Sequence, residues 1–494
     1  MDPKITNWFK DNYNLVLIGI LILAFIIRLK YLTINGGLWW DEATYLNGGK
    51  YWGLGEPFWQ VESARPPLFM LFIALFFKLG FNEMGVRFMV LLIPSVLAVL
   101  MTYLLGKELY NKDVGLISSF MMAVFWVLIF NTSRVHTDPL ALLFGMLAIY
   151  LFWKGYIASE KKNALYIYLA GLCLGLGFLT RLATLLIIPI FLIFLFLTDK
   201  FKFIKSKPIW LAVLLGFLTT IPYMIWGKIV YNNFFPWVAQ YSSGATRLVT
   251  TTPIAWNLLK YFQLFTQEIF FVTFLIGLIP FIDLIFGLDL IFKGEENRLK
   301  PDLFLIINII VVLAFFMFIT RIAEPRWLML MAPAVFFISA RGIIYVYDII
   351  KKYNNVLGII IILIILGWGG YAQLDYNKEI INIKKDTYIM EKPAGEWLKE
   401  NTNPNDILIA GNEHAPLTYF SEREIMGFGS NETAFWIGIE NRKPKYLILT
   451  TYYQSEQWVF NLPGRYSNIF IPISIFYHDL EKTYPAVIIY EIVF

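Results

Sequence analysis

Two adjacent carboxylates, Asp41 and Glu42, stand between Trp39-Trp40 and Tyr45, directly after the first long apolar run. Tryptophan and tyrosine favour the depth at which chain leaves a bilayer, and charged residues at that depth tend to line a path or cavity rather than face lipid. An ordinary solvated loop accounts for the same residues equally well. Three further stretches join acid, base and proline. In Glu62-Ser63-Ala64-Arg65-Pro66-Pro67-Leu68 the prolines impose an extended entry and open a helix, so Arg65 is presented at a controlled angle, unless it is simply a structural corner. Ser133-Arg134-Val135-His136-Thr137-Asp138-Pro139 brings together a guanidinium, an imidazole and a carboxylate, although Asp138 also suits a helix N-cap. Thr320-Arg321-Ile322-Ala323-Glu324-Pro325-Arg326-Trp327 places two arginines on a short turn, where they suit either an anion or an internal pair with Glu324. Arg181, on another short turn, is a weaker case of the same kind.

Carboxylates and arginines at a membrane face suit transfer of a group from a lipid-linked phosphate. A carboxylate deprotonates the acceptor as general base, and guanidinium forks stabilise the charge that develops on the departing phosphate. The same residues would also serve a transporter that holds and releases such a head group.

The elements that must position these residues are membrane spans. The chain of 494 residues is 58% hydrophobic, 18% aromatic and 16% charged, with mean hydropathy +0.61, which excludes a soluble globule. A net charge of +5 does not point to nucleic acid, because the lysines and arginines gather at the ends of apolar runs. Runs long enough to cross lie near 14–34, 85–106, 114–132, 138–158, 164–180, 183–199, 209–230, 266–292, 301–320, 327–347 and 355–374, about eleven spans. The first is longer than a signal-peptide core and has no small-residue cleavage site, so it reads as a retained span. Residues 66–80 are apolar but rise only about 22 Å as helix, and read as interfacial or re-entrant. With a cytoplasmic N-terminus, the loops 107–112, 154–162, 200–207, 293–300 and 341–352 fall inside and all carry lysine or arginine. Counting 66–80 as a span would put those charges outside, against the positive-inside rule. Arg28 and Lys30, near the outer end of the first span, are the exception and suit snorkelling or anion binding.

This topology places 35–66, the arginine turns and everything after about Leu374 on the external face. The domain organisation expected is a membrane domain over 1–374, with first outer loop 35–66 and interfacial helix 66–80, followed by a soluble extracytoplasmic α/β domain over 375–494. Within the latter, 406–410, 445–450, 470–476 and 486–493 have the length and β-branched content of buried strands. One cysteine, Cys173, excludes disulfides within the chain. Three scattered histidines form no local metal motif, which leaves a divalent metal held by carboxylates gathered in space as an open possibility and points to no certain cofactor.

Five short motifs then occur in a recognisable order: Asp41-Glu42-Ala43-Thr44-Tyr45, Arg65-Pro66-Pro67-Leu68, Gly85-Val86-Arg87-Phe88, Ser133 to Pro139, and Pro325-Arg326-Trp327. Over about residues 10–350 the chain resembles the protein O-mannosyltransferase and aminoarabinose-transferase superfamily, polytopic glycosyltransferases of the C-type fold. The resemblance implies an inverting transferase in the bilayer that moves a sugar from a polyprenyl- or dolichyl-phosphate donor to an external acceptor of unspecified kind. It implies Asp41 as base and Asp138 as the second acidic position; Glu42, next to Asp41, is a further catalytic candidate that would orient its neighbour or the acceptor. Arg65, where many members carry histidine or lysine, Arg134, Arg326 and Arg321 are the expected holders of the donor phosphate. Tyr45, Glu62, His136 and Arg181 are the further candidates for substrate contact. Trp327 replaces a tyrosine usual after the arginine, and no β-trefoil domain is present between spans. A flippase for a lipid-linked saccharide is the alternative, though the chain lacks the internal symmetry common in transporters.

Overall fold

The computed structural model describes residues 10–55, 65–158, 162–238, 258–293, 298–319, 324–411, 414–453 and 455–494. Glu62 and Arg321 lie outside the described residues. Among those described, nine helices are long and apolar enough to cross a membrane: Asn12–Tyr31, Glu83–Leu109, Asp138–Ile157, Leu182–Asp199, Lys207–Tyr231, Glu268–Gly287, Lys300–Ile319, Trp327–Ile350 and Asn355–Lys384. The chain is a multi-pass membrane protein. Helix starts are marked by short polar side chains that accept a backbone N–H two or three residues on: Asp11 from Tyr13, Asn111 from Val114 and Asn354 from Leu357. The expected span at 164–180 is an apolar helix of 17 residues, and the expected short helix is Leu68–Lys78, 11 residues long. At 1.5 Å per residue the latter rises only about 17 Å.

The run at 114–132 departs from a simple span. It is two helices, Lys112–Val124 and Trp126–Thr132, bent by 49° at Phe125. There is no proline at the bend; two polar side chains from other spans support it instead. Arg28, expected to snorkel or to help hold an anion, is instead wholly buried and donates to Ala123 O at 2.8 Å, Met122 O at 3.2 Å and Ser95 Oγ at 2.5 Å. Gln373 accepts the Trp126 N–H at 3.0 Å and donates to Phe265 O at 2.7 Å. These bonds satisfy backbone groups that a break in apolar surroundings would otherwise leave unpaired. The break re-aims the chain that leads into Arg134, His136 and Asp138.

Between the first two long spans, Trp40–Leu54 forms a helix packed on Leu68–Lys78. The approach is close enough to require glycine: a Cβ at Gly49 would lie 2.2 Å from Ile73 Cγ2, and one at Gly53 2.6 Å from Ala74 O. Leu38, Ala43, Leu46, Phe69 and Ile73 form a small core there with Val86, Val90, Val135 and Leu140, and Ala415 and Tyr419 of the C-terminal region join it.

The Asn355–Lys384 helix runs on past residue 374 before the chain enters a five-stranded sheet of order β2-β1-β3-β5-β4. The strands are β1 Ile407–Ile409, β2 Glu424–Met426, β3 Tyr446–Thr450, β4 Phe470–Tyr477 and β5 Pro485–Ile492. β1 pairs parallel with β2 and β3, while β5 runs antiparallel between β3 and β4. Helices Glu391–Asn401 and Ala415–Ser421 cover one face through Ala394, Leu398 and Leu417. Glu432–Arg442 and Gln457–Arg465 cover the other through Phe435, Ile439, Val459 and Leu462. Four strands coincide with those expected from sequence. β2, Glu424-Ile425-Met426, has a single β-branched residue and carries no apolar run.

Candidate active site

Asp41 lies in the first turn of the Trp40–Leu54 helix, where the helix dipole favours a negative charge. An arginine from a distant part of the chain meets each of its oxygens: Arg65 Nη2 lies 3.0 Å from Oδ1, and Arg326 Nη1 3.2 Å from Oδ2. Arg65 also sits 5.0 Å over the ring of Tyr45, one turn along the helix from Asp41. Arg326 donates through Nε to Glu324 at 2.6 Å. The Asp41 side chain stays 31% exposed. Burial pushes its carboxyl upward, but the guanidiniums of Arg65 and Arg326 outweigh that and hold it well below the usual carboxylate range.

A second acid–base pair adjoins the first. Arg181 donates to Asp138 Oδ2 at 2.8 Å and to Thr137 Oγ1 at 3.3 Å. Asp138 was expected to suit an N-cap, but Thr137 holds the cap position, and the Asp138 carboxylate pairs with Arg181 instead. Asp138, Arg181 and Arg326 line one cleft with Thr184, Trp327 and Leu330. His136 is buried beneath, its Nδ1 2.9 Å from Asn131 Oδ1 and its Nε2 without a hydrogen-bond partner among the described residues. Burial first, and then the charge of Arg326, keep this imidazole well below its usual pKa, so it is neutral at pH 7.

Glu42, one residue on from Asp41, is wholly buried. Its Oε2 accepts from Arg134 Nη1 and from the Trp39 N–H, both at 2.9 Å, and its Oε1 accepts the Val135 N–H at 2.9 Å. Arg87 Nη1 lies 3.8 Å from Oε1. Arg134, also wholly buried, donates to Lys384 O at 2.6 Å and Gly37 O at 3.3 Å, and its guanidinium stacks 4.2 Å over the ring of Trp39. Glu42 and Arg134 therefore tie the loop helix to the 133–136 turn and to the end of the Asn355–Lys384 helix, away from the cleft.

The sites expected from sequence thus fall into two groups. Asp41, Tyr45, Arg65, Asp138, Arg181 and Arg326 converge on a partly open cluster. Glu42 and Arg134 form a closed knot beside it, with His136 buried between. Sequence reasoning gave no role to Arg87, which appeared only within a motif, or to Glu83, which carried no signal of its own. Among the described residues no three His, Cys, Asp or Glu side chains are gathered as a metal site.

The model for the dolichyl-phosphate-mannose-protein mannosyltransferase family matches residues 64–226, the stretch that carries Arg65, Arg134, His136, Asp138 and Arg181. The chain is 32% identical to the YkcB protein of Bacillus subtilis (strain 168) over 146 residues, 28% of this chain and 20% of that protein, so it spans only about a fifth of that relative. Its fold is similar to that of ArnT from Cupriavidus metallidurans bound to undecaprenyl phosphate, with TM-score 0.65 and 10% identity over 96% of this chain and 97% of that one. It is also similar to the archaeal oligosaccharyltransferase AglB from Archaeoglobus fulgidus in complex with an inhibitory peptide and a dolichol-phosphate, with TM-score 0.61 and 14% identity over 98% of this chain and 75% of that one. Over nearly its whole length, then, the chain has the C-type glycosyltransferase fold.

Proposed function

We propose that the protein is an inverting membrane glycosyltransferase that moves a sugar from a polyprenyl- or dolichyl-phosphate donor to an acceptor hydroxyl, with Asp41 as general base. One observation carries the reading. A partly exposed carboxylate is gripped on both oxygens by arginines from two separate loops, and one of these, Arg326, also lines the cleft that holds a second arginine–carboxylate pair. The family match over 64–226 and the lipid phosphates named with the two similar structures support a donor of this class.

In the resting arrangement Asp41 is a weak base, because both guanidiniums stabilise its charged form. A phosphate offers the same arginines a doubly hydrogen-bonding partner of equal or greater charge. Donor binding at Arg65, Arg326 and Arg181 withdraws the first two from Asp41 and restores its basicity where it is needed. Asp41 then takes the acceptor proton, the acceptor oxygen forms its bond to the anomeric carbon from the side opposite the phosphate, and the bond from that carbon to the phosphate oxygen breaks. The negative charge arriving on the phosphate is met by the arginines. Glu42 and Arg134, expected to act on acceptor and phosphate, are assigned here to holding the loop helix, because neither is open to a ligand. Lysine- and arginine-bearing loops at the opposite helix ends support a cytoplasmic N-terminus with the cleft and C-terminal domain outside.

The test uses purified protein in detergent with mannosyl-phosphoryl-polyprenol and a panel of hydroxyl acceptors. Asp41→Asn should lower transfer by about 10² to 10⁴-fold, while undecaprenyl phosphate binds at least as tightly as to the wild type because a competing carboxylate charge is removed from Arg65 and Arg326. Transfer at near wild-type rate by Asp41→Asn would remove Asp41 as base. Lipid-phosphate binding by the wild type with no transfer to any acceptor would favour a carrier.

A further inference from the structure

The C-terminal region touches the candidate active site through a chain of charge and hydrogen bonds that none of the chemistry above uses. Tyr419, in the Ala415–Ser421 helix, is 6% exposed and donates its hydroxyl to Glu83 Oε2 at 2.6 Å. The other Glu83 oxygen accepts from Arg87 Nε and Nη2, both at 2.8 Å. Arg87 Nη1 reaches on to Glu42 Oε1 at 3.8 Å and to Ser133 O at 3.5 Å. Glu42 in turn holds Trp39, Arg134 and Val135, and Asp41 is its neighbour in the same helical turn. The same short helix is fastened along the loop helix at two further points. Asn47 Nδ2 donates to Ala415 O at 2.9 Å, and Lys50 pairs with Glu422 at 3.5 Å while lying 4.1 Å over the Tyr419 ring.

A helix of 15 residues between two loops has little reason to hold one orientation by itself. On one side the Leu68–Lys78 helix supports it. On the other, its support comes from residues some 370 positions later in the chain. We infer that Tyr419 is a positioning residue for the transfer reaction: through Glu83, Arg87 and Glu42 it fixes the helix that presents Asp41, so the C-terminal domain is an integral part of the active centre. This rests on Asp41 being the base. A shift of about 1 Å in a reacting group is enough to cost about 10²-fold in rate, which makes one hydrogen bond at this junction consequential.

The experiment compares the full-length protein with Tyr419→Phe, Glu83→Gln and the control Arg465→Gln, which breaks an exposed ion pair with Glu432 on the far face of the domain. Amide hydrogen exchange is followed on peptides covering 40–54 and 133–136, alongside kcat, KM for mannosyl-phosphoryl-polyprenol and undecaprenyl phosphate binding. Tyr419→Phe and Glu83→Gln should speed exchange in both peptides and lower kcat about tenfold or more. KM and lipid-phosphate affinity should stay within about twofold, since the arginine loops are untouched. Arg465→Gln should match the wild type in every measure. Wild-type exchange at 40–54 in Tyr419→Phe, or a loss of kcat shared by Arg465→Gln, overturns the inference. Faster exchange in Tyr419→Phe, in a protein whose wild type transfers no sugar, leaves the coupling standing and removes the proposed reaction instead.

Discussion

Asp41 and Glu42 are consecutive residues in one helical turn, both carboxylates and both paired with arginine, yet their surroundings are opposite. Glu42 is wholly buried and its oxygens are filled by two backbone N–H groups and Arg134. Asp41 remains 31% exposed, and its partners Arg65 and Arg326 come from two separate loops, Arg326 also lining the cleft. The closed pair is fixed by what it would cost to separate: a buried charge left without its partner is destabilising by several kcal/mol. The open pair is held by arginine side chains alone, with no backbone N–H among the described residues, and an incoming anion can replace what they bind. A helical step of about 100° between neighbouring residues is thus enough to divide the enclosed carboxylate from the one proposed as base.

Glu42→Gln should separate the two most sharply. It leaves the buried Arg134 beside a neutral amide and should destabilise the protein by about 3–5 kcal/mol, seen as a large fall in the thermal midpoint in detergent. A wild-type midpoint with lost turnover would instead move Glu42 into the chemistry. Arg326→Gln acts on the open pair and should leave the midpoint nearly unchanged. Because Arg326 helps depress the Asp41 pKa, its loss raises that pKa, so the acid limb of kcat/KM against pH should move upward toward the ordinary carboxylate value near about 3.9. The stability that this ionised carboxylate contributes is present at neutral pH and is lost only as pH falls through its depressed pKa. An acid limb that does not move would separate Arg326 from Asp41 in solution. The smallest effect is expected at Asp138→Asn, which relieves Arg181 of its partner. Undecaprenyl phosphate should bind up to about fivefold more tightly, the equivalent of a partly exposed ion pair of about 1 kcal/mol. Weaker binding would make Asp138 a contributor to the phosphate site in its own right.

The division between these two carboxylates was not legible in the sequence, where they differ by one methylene and share the same neighbours. Much else was. Apolar runs of sufficient length fell where helices lie, since a span must satisfy its backbone internally and must be apolar outward. The other four strands, β2 apart, showed through their β-branched runs for a similar reason. Arg65, Arg326 and Asp138 stood out because charged residues at span ends are rare enough to carry information. The role of Arg28, though not its presence, and Gln373 altogether stood hidden, because the need they meet, a helix break at Phe125, leaves no proline or glycine in the sequence to announce it. Tyr419 was equally silent, one tyrosine among 28.

By itself the sequence determined that this chain crosses a membrane many times, that its acidic and arginine-bearing turns alternate with spans, and that a small α/β unit follows. These are local properties, written in runs of hydropathy and in turn residues. Only the tertiary structure decided which arginine meets which carboxylate. Arg65 and Arg326 reach Asp41, Arg181 reaches Asp138, and Arg134 closes on Glu42 across 92 residues. Long-range pairing of this kind is set by how helices pack and where a broken span redirects the chain, and short-range patterns carry no record of either.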